Sequence, residues 1–151
     1  MQVQITKRLD GAGVLRCIRE DGSVTWQKQK EKNAPFFALH DLTHLAVEST
    51  LNYRQGFFGL IAVGWEIEDT TGKGNRGPLP SETSEVEQLV GLLFTELASG
   101  AIWSAEEFNE SAGCSRKWTV VEIDAIRKRR AELFQFWAAV PVGETLELHY
   151  P

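Results

Sequence analysis

Four residues carry the only spacing in this chain that suggests chemistry: His40, Asp41, His44 and Glu48. At about 100° per residue of an α-helix, His40, His44 and Glu48 fall within about 80° of one another, and Asp41 lies about 20° beyond Glu48. All four then project from one sector. Two histidines four residues apart form a recurring metal pair, because both imidazoles reach one point beside the helix. The best candidate ion is a divalent metal such as zinc, with His40 and His44 as ligands and Asp41 as a base or further ligand.

His40-Asp41-Leu42-Thr43-His44 resembles the H-E-x-x-H metalloprotease motif with Asp in place of Glu. In that motif the Glu is the general base acting on metal-bound water. Asp is one methylene shorter, which weakens a protease reading. Glu48 lies about 12 Å along the axis from His40, and helical side chains lean toward the N-terminus. It therefore suits an acceptor that orients the His44 ring better than a third ligand. The third ligand is expected from elsewhere, with Glu66, Asp69, Glu85 and His149 as candidates, and Trp65 is expected to line the pocket with Glu48 and Glu66. The competing expectation is a satisfied polar seam, in which both histidines bond to neighbouring acids or carbonyls and do no chemistry.

These residues need a helix, and the pattern supplies one. Residues 36–52 place Leu39, Leu42, Leu45 and Ala46 opposite the polar sector, with no Lys or Arg from Phe36 to Tyr53. A helix solvated on one face normally carries long charged side chains there, so this polar sector is expected to be partly buried. Before it, residues 3–9, 14–20 and 23–29 read as strands. Asp21-Gly22 suggests a two-residue turn that would set Cys17 opposite Trp26 and Arg19 opposite Val24. Leu15, Cys17, Val24 and Trp26 would then share the core face. After it, residues 57–69 read as a second helix, residues 70–80 as an exposed loop and residues 84–99 as a third helix ended by Gly100. Ser104 and Thr119 each open a capping box, the second starting a long helix that Pro141 ends. Residues 145–150 alternate as a closing strand. The expected fold class is α+β, one domain over 1–151, with an antiparallel sheet of three or four strands and about four helices on one face.

A hairpin at Asp21-Gly22-Ser23, then H-D-L-T-H-x-A-V-E from His40 to Glu48, then G-F-F-G-L-I-A-x-G-W from Gly56 to Trp65, resembles a group of small bacterial proteins of no assigned function. The resemblance covers most of the chain. It implies that residues 40–65 are the functional region and brings no activity with it.

Composition narrows the classes further. A net charge of -5 argues against a nucleic-acid partner, since phosphate affinity comes from many Lys and Arg contacts. Arg127 to Arg130 point in four directions on a helix, with Glu122, Asp124 and Glu132 as partners, and read as a solvated face. Cys17 and Cys114 have neither disulfide-framework nor zinc spacing. The longest apolar run, Phe57 to Trp65, is too short to cross a bilayer, so no membrane partner is expected. With no leader pattern, a cytoplasmic location is the expectation. Gly72 to Gly77 matches G-x-G-x-x-G in letters alone, because no strand precedes it and no helix starts on it. The functional expectation is a small-molecule-binding protein or a metal-assisted enzyme. Its rival is a non-catalytic interaction module, such as a homodimer built on aromatic helix faces.

Overall fold

A computed structural model describes residues 1–28, 34–72, 74 and 76–151. Most of the charged connector before the first helix, and Lys73 of the glycine-rich loop, lie outside those residues. The elements run β1 (Gln2–Lys7), β2 (Gly13–Ile18), β3 (Val24–Lys28), α1 (Ala34–Leu51), α2 (Phe57–Ala62), α3 (Ser81–Ser99), α4 (Ala105–Ala112), α5 (Val120–Ala139) and β4 (Thr145–His149), with a 3-10 turn at Asp69–Thr71 between α2 and α3. The strands form one antiparallel sheet in the order β3-β2-β1-β4. This is an α+β fold. The first and last strands are therefore neighbours, with β4 at the sheet edge, and the Met1 ammonium donates to the Tyr150 carbonyl at 2.8 Å.

One sheet face is covered and the other is polar. Val3, Ile5, Leu15 and Cys17 point inward and pack on Leu42, Leu45 and Ala46 of α1, Phe58 and Ile61 of α2, and Leu133 and Trp137 of α5. A second core lies beyond α1, where Val47 and Tyr53 meet Val86, Leu89 and Leu93 of α3, Phe108 of α4, and Ile123 and Ile126 of α5. Helix α1 is thus sandwiched between the two cores. That explains its lack of Lys and Arg: residues 41–48 are all buried.

The first hairpin differs from the expected register by one residue. Cys17 pairs with Thr25 and Arg16 with Trp26. The turn holds three residues rather than two: the Gly22 N–H donates to the Arg19 carbonyl at 3.0 Å and the Arg19 N–H to the Ser23 carbonyl at 2.9 Å. Gly22 takes the left-handed conformation at φ 83, and the Asp21 carboxylate accepts from both the N–H and the hydroxyl of Ser23. A type I turn followed by a left-handed glycine adds one residue to one strand. The slip turns every later side chain over. Thr25 is therefore buried, whereas Val24 is exposed and Trp26 is 64% exposed.

The second helix stops at Ala62, well before the expected Asp69. Gly64 at φ 99 breaks it, and the chain continues through turns to Thr70, whose side chain is buried. Elsewhere the punctuation holds. Both capping boxes form, and Gly100 and Gly113 end α3 and α4 in the left-handed conformation. Helix α1 ends in the same way at Asn52, φ 56, with the Tyr53 N–H returning to the Glu48 carbonyl at 3.0 Å.

Candidate metal centre

The end of α1 fixes the site. Once Asn52 reverses the chain, residues 53–56 bring the start of α2 directly over the Glu48 side chain. Glu48 is fully buried, and its carboxylate accepts the N–H of Phe58 at 3.2 Å and of Gly59 at 2.9 Å. A carboxylate at the first turn of a helix satisfies donors that lack intrahelical partners. Glycine is needed at 56, since a Cβ there would sit 2.5 Å from the Glu48 carboxyl carbon. Glycine is also needed at 59, where a Cβ would meet the Arg54 carbonyl oxygen at 2.3 Å. At the other end of α2, buried Arg19 donates to the carbonyls of Ile61 at 2.7 Å and Trp65 at 2.6 Å and pairs with Glu66 at 3.1 Å. A carboxylate and a guanidinium thus clamp this six-residue helix at its two ends, each on the side its dipole favours.

His44 stands between Glu48 and α3. Its Nδ1 lies 3.4 Å from Glu48 Oε1 and its Nε2 lies 3.5 Å from Glu87 Oε1. The side chain is 1% exposed, and neither ring nitrogen has an aligned hydrogen-bond partner. Burial by itself pushes the His44 pKa down. The two carboxylates, Glu48 and then Glu87, outweigh it and raise the pKa to about 9. The same contact holds the Glu87 carboxyl below its usual range.

His40 lies one turn earlier, with ring centroids 4.7 Å from His44. It is 29% exposed, its Nδ1 lies 3.8 Å from Asp41, and its ring stacks on Phe94 of α3 at 5.9 Å. One ligand atom each from His40, His44 and Glu87 lie within 4.8 Å of one another. They border a cavity of about 160 Å³ whose walls also include Asp41, Phe37, Phe57, Thr70 and Gln27. His40 sits toward solvent and His44 at the buried side.

The structure therefore brings together His40, His44 and Asp41 as the spacing suggests, and places Glu48 behind His44 as the acceptor side of the ring. Of the other expected residues, Glu66 pairs with Arg19 and lines a neighbouring groove. Trp65 lies under the Arg76 guanidinium and is not among the walls of the histidine cavity. Glu85 bonds to the Tyr53 hydroxyl at 3.2 Å, Asp69 pairs with Arg76, and His149 is exposed on β4. None of these four third-ligand candidates joins the group. Glu87 does: it lies seven residues before Phe94, so both share the α3 stripe that the packing of α3 turns toward His40 and His44.

The remaining signals resolve into structure. Arg127 is no solvated charge: it forms a two-point pair with buried Glu96, donates to the Trp103 carbonyl at 2.8 Å, and also meets Asp124 at 2.9 Å. Arg130 donates to the Leu93 carbonyl at 2.7 Å. The Cys114 thiol contacts Gln88 and is pushed up by burial, away from the thiolate a nucleophile needs. Among the described residues no helix is long and apolar enough to cross a membrane. Comparison with protein-family models, with curated proteins and with solved structures finds no match to this chain.

Proposed function

We propose that this protein binds a divalent transition-metal ion through His40, His44 and Glu87 and presents it to a small ligand. The observation that carries this reading is a fully buried imidazole with no aligned partner, grouped with a second imidazole and a carboxylate. A tetrahedral ion with bonds of about 2.0–2.1 Å spaces its ligand atoms about 3.4 Å apart. The 3.5 Å between His44 Nε2 and Glu87 Oε1 already matches such an edge. His40 would need to close by about 1.5 Å at most, and it is the more exposed of the two rings. Two imidazoles and one carboxylate suit zinc and its first-row neighbours better than magnesium or calcium.

Glu48 supports the ring from behind. Because it accepts two backbone N–H groups, its charge stays fixed beside Nδ1, which favours a proton there and leaves Nε2 for the ion. Three protein ligands leave a position open, and the cavity offers Asp41 beside it. An ion in such a site polarises a bound oxygen and makes water acidic near neutral pH. Asp41, on the cavity wall beside His40, would be the residue to take that proton, and metal-assisted hydrolysis is the reaction class that this set of residues would suit.

A second reading draws on one observation, the raised pKa of His44. A protonated ring between Glu48 and Glu87 would be a structural ion triad with no ligand. Metal analysis of protein prepared without a His tag, followed by zinc-dependent thermal unfolding, separates the two. At about a hundredfold excess over Kd, zinc adds about 2.7 kcal/mol, or roughly 5–10 °C in Tm for a chain of this size. A Tm unmoved by zinc in wild-type protein ends the metal reading and leaves the triad.

A further inference from the structure

Strand β3 is one edge of the sheet, and its outer side is unpaired. The Arg19 N–H donates to the Ser23 carbonyl across the hairpin, and the ladder alternates from there. Thr25 and Gln27 bond to Cys17 and Leu15, whereas Val24, Trp26 and Lys28 turn their N–H and C=O groups away from β2. Among the described residues nothing donates to or accepts from those groups. The strand lacks the usual guards of an edge: it has neither proline nor bulge, and Lys28 is its one charge. The side chains at 24, 26 and 28 stand on the uncovered sheet face. Trp26 is 64% exposed there, unusual for a residue type that folding normally buries.

We infer that β3 pairs with β3 of a second copy of this chain, antiparallel about a two-fold axis at Trp26. The outward residues suit that symmetry: Trp26 meets the partner's Trp26, Val24 meets the partner's Lys28, and every outward N–H finds a carbonyl. The two indoles then pack across the axis on one face of a continuous sheet. On the covered side the two-fold sets the partner's Thr25 opposite Gln27, beside an open groove of about 480 Å³ that leaves them room. Gln27 also borders the histidine cavity, so the seam runs beside the candidate metal centre and forms whether or not an ion binds. The other edge fits a second copy poorly. On β4 the bonding of Tyr150 to Met1 turns Thr145, Glu147 and His149 outward. The same symmetry would set two Glu147 carboxylates directly opposite each other. The β3 seam carries no acid, in a chain of net charge -5.

Five residues a side make a short seam, below the roughly 1,200 Å² that stable complexes bury, so the association is weak and concentration-dependent. The test is sedimentation velocity of the full chain from about 5 µM to about 1 mM, with EDTA present so that no metal bridges two copies. A reversible monomer–dimer equilibrium is expected. Val24→Lys, which faces the partner's Lys28, weakens the dimer about threefold or more, and Val24→Glu tightens it by a similar factor. Combining Val24→Lys with Lys28→Glu restores the wild-type association. Within one chain, positions 24 and 28 face Ile18 and Val14, so these changes meet no charge there, and thermal unfolding at low concentration checks the fold. A monomer at every concentration overturns the inference. So does a dimer that Val24→Lys and Val24→Glu shift alike, or one that Glu147→Lys changes and the position-24 variants do not. Growth past the dimer also overturns it, and would show β3 joining β4 head to tail.

Discussion

Raising the pH of metal-free protein should selectively remove the stabilisation that His44 provides. The free imidazole has a pKa of 6.5, and the folded ring, between Glu48 and Glu87, is raised to about 9. A group whose pKa rises on folding stabilises fully below its unfolded value and loses that contribution as pH climbs through the folded value. The window is therefore about pH 6.5 to 9. A shift of some 2.5 units corresponds to about 3 kcal/mol, with a limiting slope of about 1.4 kcal/mol per pH unit. The assay is urea unfolding of the wild type and His44→Gln at pH 6, 7, 8, 9 and 10, taking the difference at each pH so that other titrations cancel. That difference should shrink by about 3 kcal/mol across the series. In the same window an incoming metal must displace the His44 proton, so zinc affinity should climb about tenfold per pH unit and level off near pH 9. A wild-type-minus-variant difference that stays flat from pH 6 to 10 would show that the folded ring is neutral, and the argument from the two carboxylates would fail.

Gly56→Ala drives a Cβ to 2.5 Å from the Glu48 carboxyl and must push it off the α2 N–H groups. A loss of about 2–4 kcal/mol in thermal unfolding is expected, and a near-neutral result would mean that this carboxylate is not seated there. Arg19→Met strands the Ile61 and Trp65 carbonyls at the other end of α2 and should cost about 2–3 kcal/mol by urea titration; no change would show that the clamp is idle. Cys17 is buried, and burial, followed by the Asp41 charge, pushes its thiol up to about 12. A maleimide at neutral pH should therefore label Cys17 only after unfolding, as peptide mapping would read, and rapid native labelling would contradict that burial.

Much of this was legible in the sequence because local rules and tertiary packing agree. The Ser104 and Thr119 capping boxes, the glycine stops and the leucine stripe on α1 each point one way, and the structure follows them. The hairpin shows where local rules fall short. Asp21-Gly22 suits a two-residue turn, but Gly22 in the left-handed conformation also closes a three-residue one, and nothing local separates the two. One residue of slip moved Trp26 from the core to the polar sheet face. At the site, the His40–His44 spacing was readable because it is a property of one helix. Glu87 lies 43 residues further on, in a helix rich in glutamates, and only the packing of α3 against α1 distinguishes it from Glu85. Glu48 was assigned its supporting place by reach along the helix axis, and the turn at Asn52 supplies the N–H groups that hold it.

X-ray absorption at the zinc edge of zinc-loaded protein tests the central claim most directly. The site predicts a shell of nitrogen and oxygen at about 2.0–2.1 Å with scattering from two imidazoles, falling to one in His44→Gln. A sulfur shell near 2.3 Å, or a spectrum that His44→Gln leaves unchanged, would contradict the site.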